Sequence, residues 1–102
     1  MQLLKVYRPE EFANRAVIVD TNHSNSNKQY KEQIRIAKEV LNNRRHNEEL
    51  RKLVKGFMIE SYLEEGNQPI SEHMTYGKSI TDPCLGWDDT RRLIDTIAEM
   101  SV

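Results

Sequence analysis

The sequence predicts an α/β fold of two strand–helix units, on three observations. Ala16–Val19 (AVIV) is a short, β-branched apolar run, and a run without alternation marks a strand covered on both faces. Tyr30, Ile34, Ala37 and Leu41 then recur at helical spacing, with Val40 beside them. The pattern returns as a second apolar run, Gly56–Ile59, and a second helical stripe, Leu93, Ile94 and Ile97.

Residues 1–15 read as a leader in which Pro9-Glu10-Glu11-Phe12 opens a short helix. The first strand ends at Asp20, and the polar string from Thr21 to Asn27 is rich in helix N-cap residues. A helix over residues 26–43 follows, blurred at its end by Asn42-Asn43. Glu60-Ser61 closes the second strand. Glu64 to Asp82 is polar and carries Gly66, Pro69 and Gly77, so it reads as a long loop; loops beyond about 15 residues in a compact unit are usually functional or disordered. Asp88 and Asp89 supply N-cap and first-turn acids to the last helix, which Trp87 anchors. This order implies parallel strands joined by a right-handed crossover. Two strands are too few for a sheet with two apolar faces, so further strands or self-association are expected.

The chain has 102 residues, a length for one small domain, with 37% hydrophobic and 30% charged residues. A formal net charge of −1 points to neither nucleic acid nor membrane. No apolar run approaches the ~20 residues that span a bilayer, and MQLLKVYRPEEF lacks a signal-peptide layout. The single cysteine, Cys84, excludes an intrachain disulfide and fits a reducing compartment. A soluble, cytoplasmic chain is expected.

Parallel strands aim their C-terminal ends the same way, and that edge holds the chemistry in α/β folds. There the chain places His23 past the first strand, Glu60 at the end of the second and Asp82 in the loop beyond. One imidazole and two carboxylates suit a divalent transition metal (Mn, Fe, Co, Zn or Cu) better than Mg or Ca. Their spacing is no motif, and strand-end carboxylates often only cap the next helix. His46 and His73 lie in polar stretches and read as solvated. Ser61, Ser79 and Cys84 are nucleophiles only beside a base, and the sequence shows none; Cys84 reads as a small packed residue. Lys38–Lys55 holds six basic and three acidic residues. Such a block could touch nucleic acid, but without interleaved aromatics it reads rather as a solvated helix face. Gly77-Lys78-Ser79 has the tail of a P-loop, but Glu72 stands where its first glycine belongs, so that reading is rejected.

Three blocks together resemble one family: Ile18-Val19-Asp20-Thr21-Asn22-His23-Ser24-Asn25-Ser26-Asn27-Lys28-Gln29, Met58-Ile59-Glu60-Ser61 with Glu65-Gly66-Asn67-Gln68, and Tyr76-Gly77-Lys78-Ser79-Ile80-Thr81-Asp82 leading to Gly86-Trp87-Asp88-Asp89-Thr90. They are similar to the C-terminal part of class I 3-deoxy-D-arabino-heptulosonate 7-phosphate (DAHP) synthase, from about residue 16 to about residue 99. The resemblance implies the last quarter of a (β/α)₈ (TIM) barrel, with residues 16–55 as its seventh βα unit and 56–102 as its eighth. It implies condensation of phosphoenolpyruvate with erythrose 4-phosphate, the first step of the shikimate pathway towards aromatic amino acids. A divalent metal (Mn, Fe, Co or Zn) is held in the family by a cysteine, a histidine, a glutamate and an aspartate. The last three map to His23, Glu60 and Asp82, which become the catalytic and metal-ligating candidates; Asp20 and Lys78 become candidates for supporting them or touching substrate.

The family's cysteine ligand comes from an early strand with no counterpart here, and Cys84 sits in the wrong block to replace it. Its phosphate-binding basic residues also come from strands not matched, and such a barrel takes about 250 residues. The expectation is an inactive part of the enzyme that self-associates or meets a complementing chain. The alternatives are a non-catalytic metal-binding or assembly module of the same ancestry, and a nucleic-acid binder using Lys38–Lys55.

Overall fold

β1 (Val17–Asp20) and β2 (Val54–Met58) run parallel, Ile18 opposite Gly56 and Asp20 opposite Met58, with an irregularity between Val17 and Ile18. In this computed structural model, which describes residues 16–23 and 29–101, the link between them is helical: α1 (Glu32–His46), then α2 (Glu48–Leu53). Past β2 the chain forms β3 (Glu64–Asn67) and β4 (Lys78–Ser79), then ends in α3 (Trp87–Met100). The architecture is α/β. The proposed leader helix at Pro9–Phe12 and the capping string Ser24–Asn27 lie outside the described residues.

One core joins the helices to the sheet. Val19 of β1 and Val54 of β2 pack with Ile36 and Val40 of α1 and with Leu50 of α2, while half-buried Val17 and Phe57 line the contact. Ala37 of α1, Leu85 and Leu93 of α3 form the adjoining cluster, flanked by Tyr30, Ile34, Ile59 and Ile97. Burying each such leucine or valine is worth about 1.5–3 kcal/mol.

Several expected boundaries shift, each for a local reason. α1 begins at Glu32 and continues through Asn42-Asn43 to His46, where Arg44, Arg45 and His46 complement the negative end of the helix. The separate α2 was not foreseen: Asn47 caps it, its side-chain oxygen accepting from the Glu49 and Leu50 amides at 3.0 and 3.2 Å. β2 is set back to Val54–Met58, which leaves Glu60 just past the strand.

The stretch Glu64–Asp82 is no structureless loop, since β3 and β4 pair in parallel within it. Gln68 ties the excursion between them, donating to the Thr75 and Lys78 carbonyls at 2.7 and 3.0 Å and accepting from the Thr75 amide at 2.8 Å. Gly77 turns it with φ +77°, where a Cβ would stand 2.9 Å from Leu63. α3 is capped by Gly86 without a side-chain bond, so Asp88 and Asp89 act only in its first turn. Trp87 is half exposed and holds the helix start through its amide, which donates to the Leu63 carbonyl at 3.2 Å. Leu93 is buried, but Ile94 faces out.

The expected double cover of the sheet is not met among the described residues. α1 and α2 cover one face, whereas Ile18 and Met58 are 58% and 52% exposed. Among those residues no third strand joins β1 and β2.

Candidate metal centre

The parallel pairing of β1 and β2 carries both strands to a common end, and there the three predicted residues meet. His23 Nε2 lies 2.7 Å from Glu60 Oε1 and 3.1 Å from Asp82 Oδ2. One donor atom from each of the three falls within 4.8 Å of the other two. Neighbouring ligands of an ion bound at about 2.0–2.2 Å lie roughly 2.8–3.6 Å apart, so this donor set fits a first-row divalent metal after small side-chain adjustments. The site is open, with Asp82 about half exposed and Glu60 about a quarter.

Backbone bonds set the frame. The Thr21 amide donates to the Met58 carbonyl at 3.0 Å, extending the β1–β2 ladder to the residue before Asn22-His23. The Leu85 amide donates to the Glu60 carbonyl at 3.0 Å, and the Tyr62 amide to the Leu85 carbonyl at 2.9 Å. Those bonds hold the segment carrying Asp82 alongside the one carrying Glu60.

Asp20, a supporting candidate, takes that place: its Oδ2 stands 2.5 Å from His23 Nδ1. A carboxylate on Nδ1 keeps the proton there and aims the Nε2 lone pair outward, the usual arrangement behind a metal-bound histidine. Without a metal, the same surroundings favour a protonated ring. The hydrogen bond to Asp20 raises the His23 pKa above its ordinary value, helped by the charges of Glu60 and Asp20 and by the bond to Asp82. Partial burial works against the Asp20 charge, but hydrogen bonds from His23 and the Asn22 amide outweigh it and hold that carboxyl below its usual range.

Lys78 stands in β4, its side chain over Gly66, and nothing ties it to the three donor atoms among the described residues. Cys84 is buried as expected, yet it borders the centre: Sγ lies 3.8 Å from Glu60 Oε2 and 3.3 Å from the Asp82 carbonyl. Burial, with the Glu60 charge second, pushes its thiol pKa up, so it rests as a neutral thiol. Ser61 bonds Thr90 at 2.6 Å and pins the start of α3; Ser79 accepts from the Thr81 amide at 3.1 Å. His46 and His73 are exposed. Of the basic block, Arg44 donates to the Val54 carbonyl at 3.1 Å, while Lys38, Arg45, Arg51, Lys52 and Lys55 are exposed.

Two buried amides escaped the sequence reading. Asn22 donates from Nδ2 to Glu60 Oε2 at 3.2 Å and to the Pro83 carbonyl at 3.1 Å. Gln33, fully buried in α1, bonds both Thr21 and Glu60. A signal existed for Gln33: it falls on the apolar stripe of Tyr30, Ile34 and Ala37, where a polar residue needs a buried partner.

Among the described residues no helix is long and apolar enough to cross a membrane. The Trp-sensitive phospho-2-dehydro-3-deoxyheptonate aldolase of Escherichia coli K12 is 42% identical over 84 residues, spanning 80% of this chain and 23% of its own length. The Phe-sensitive enzyme of the same strain is 43% identical over 84 residues, with the same 80% and 23% coverage. The solved structure of phospho-2-dehydro-3-deoxyheptonate aldolase from Francisella tularensis SCHU S4 superposes with a TM-score of 0.76 at 32% identity, covering 84% of this chain and 24% of that one. The chain thus spans about a quarter of the length of these relatives. A family model described as the DAHP synthetase I family matches residues 1–95, and the chain belongs to that family.

Proposed function

We propose that this chain contributes His23, Glu60 and Asp82 to the metal centre of a DAHP synthase that condenses phosphoenolpyruvate with erythrose 4-phosphate. The observation that carries the reading is the convergence of one nitrogen and two carboxylate oxygens within 4.8 Å, from segments distant in sequence. Residues 16–55 and 56–102 then correspond to the seventh and eighth βα units of a (β/α)₈ barrel, working in the cytoplasm.

His23, Glu60 and Asp82 would hold a divalent metal such as Mn, Fe, Co or Zn, which when bound would supply Lewis acidity for the aldehyde oxygen of erythrose 4-phosphate or for a reacting water. The residues here do the rest of what this wall contributes. His23 presents neutral Nε2 because Asp20 retains the Nδ1 proton, and Glu60 and Asp82 offset the dipositive charge. Asn22 fixes the second oxygen of Glu60, leaving Oε1 turned towards His23. The other wall, with a fourth ligand and the phosphate-binding cations, has no counterpart among the described residues, so the chain by itself is expected to hold metal without turnover.

Exposed Ile18 and Met58, on a two-stranded sheet, favour a companion reading. Unpaired strands and bare apolar faces seek partners, so the chain self-associates or joins a complementing chain that supplies further strands. Sedimentation over a concentration series checks this: a mass that stays at 12.0 kDa throughout contradicts self-association.

The functional test follows phosphoenolpyruvate consumption with erythrose 4-phosphate and Mn²⁺ at high protein concentration, beside His23→Ala. No turnover, with Mn²⁺ bound by the parent chain and not by the variant, is expected. Turnover that vanishes in the variant shows that the chain assembles a working site and overturns the claim of inactivity. Mn²⁺ binding unaffected by the variant overturns the metal centre.

A further inference from the structure

We infer that Gln33 is a positioning residue for this centre, a role that rests on the metal reading above. It sits in the first turns of α1, on the core side, with no exposed surface. Its carboxamide forms a clamp between the two strand ends. Nε2 donates to the Glu60 carbonyl at 3.0 Å, and Oε1 accepts from the Glu60 amide at 3.0 Å. The same Oε1 lies 2.8 Å from the Thr21 hydroxyl, which in turn stands 3.0 Å from the Met58 carbonyl.

Glu60 is therefore held by both of its main-chain polar groups from one side chain. Its carbonyl is shared with the Leu85 amide, which secures the segment carrying Asp82. Thr21 is two residues from His23, so one amide governs the spacing of all three donors without touching any donor atom. The Glu60 amide lies just past β2, where a main-chain donor without a ladder partner would otherwise bond water. Gln33 replaces that solvent with a fixed group on a packed helix, and fixed support of this kind tunes metal affinity. The polar head serves Glu60 and Thr21.

The test titrates Co²⁺ into the full chain and follows its visible absorption, which reports ligand geometry, for the parent chain, Gln33→Met, Thr21→Val and His23→Ala. Gln33→Met keeps the volume and removes every bond of the clamp. Affinity about 10- to 100-fold weaker, with an altered spectrum in the folded protein, is expected. Thr21→Val frees only the far end and is expected to weaken binding by about two- to tenfold. This milder variant carries the test if Gln33→Met does not fold by circular dichroism. A role confined to packing lowers the unfolding midpoint and leaves spectrum and affinity intact; that result in either folded variant, with binding lost in His23→Ala, overturns the positioning role alone. Co²⁺ binding indifferent to His23→Ala, or absent in the parent chain, overturns the metal reading and the inference with it.

Discussion

Asn22 and Glu60 are joined side chain to side chain, the Asn22 amide donating to Glu60 Oε2 at 3.2 Å while also donating to the Pro83 carbonyl at 3.1 Å. One buried carboxamide thus links the turn carrying His23, the stretch just past β2 carrying Glu60 and the segment carrying Asp82. The carboxylate's two oxygens are divided by this bond: Oε2 is held by the protein, and Oε1 faces His23.

Asn22→Ala removes that link and leaves the Pro83 carbonyl without the amide. A loss of about 1–3 kcal/mol in stability is expected, together with about tenfold weaker Mn²⁺ binding. Urea denaturation without metal and calorimetric titration with Mn²⁺ measure the two effects separately. A fully stable variant with unchanged affinity refutes the link.

His23 titrates above its ordinary value in the metal-free protein because Asp20, Glu60 and Asp82 surround it. Protonation of His23 is thereby linked to folding. A raised folded pKa gives stability that is fully present below the unfolded value of about 6.5 and is lost as pH rises through the folded value. Mn²⁺ binding at this centre is expected to show the opposite trend, strengthening with pH as the competing proton leaves Nε2. Asp20→Asn removes the largest cause of the shift, so the His23 ring signals in an NMR titration are expected to move at lower pH than in the parent. An unmoved titration contradicts the Asp20–His23 pairing.

Leu85 is fully buried between α1 and α3, and its backbone brackets Glu60 and Tyr62. Leu85→Ala is expected to cost about 2–5 kcal/mol as a cavity opens. Ile94→Ala, on the exposed side of α3, is expected to change stability by less than about 0.5 kcal/mol. Comparable losses in both variants would show that α3 packs by another face.

The βα order, the parallel strands and the meeting of His23, Glu60 and Asp82 at one strand end were legible because they depend on chain order and apolar periodicity. AVIV and the Tyr30–Leu41 stripe carry that information directly. The polar devices were not legible. Asn47 caps a helix only six residues long, too short to leave a stripe. β3 and β4 are held by Gln68 and by a left-handed Gly77, contacts that no periodicity records. The bare face of the sheet shows the reverse failure. Ile18 has the pattern of a covered strand, yet among the described residues it stands 58% exposed.

Whether His23, Glu60 and Asp82 hold one metal ion together is read from Mn²⁺ broadening in the ¹⁵N–¹H NMR spectrum of the full chain. At substoichiometric Mn²⁺, the amides of Asn22, His23, Glu60, Ser61 and Asp82 are expected to disappear together, while those around His46 and His73 persist. Broadening centred on His46 or His73, or loss at only one of the three segments, would rule out a shared site.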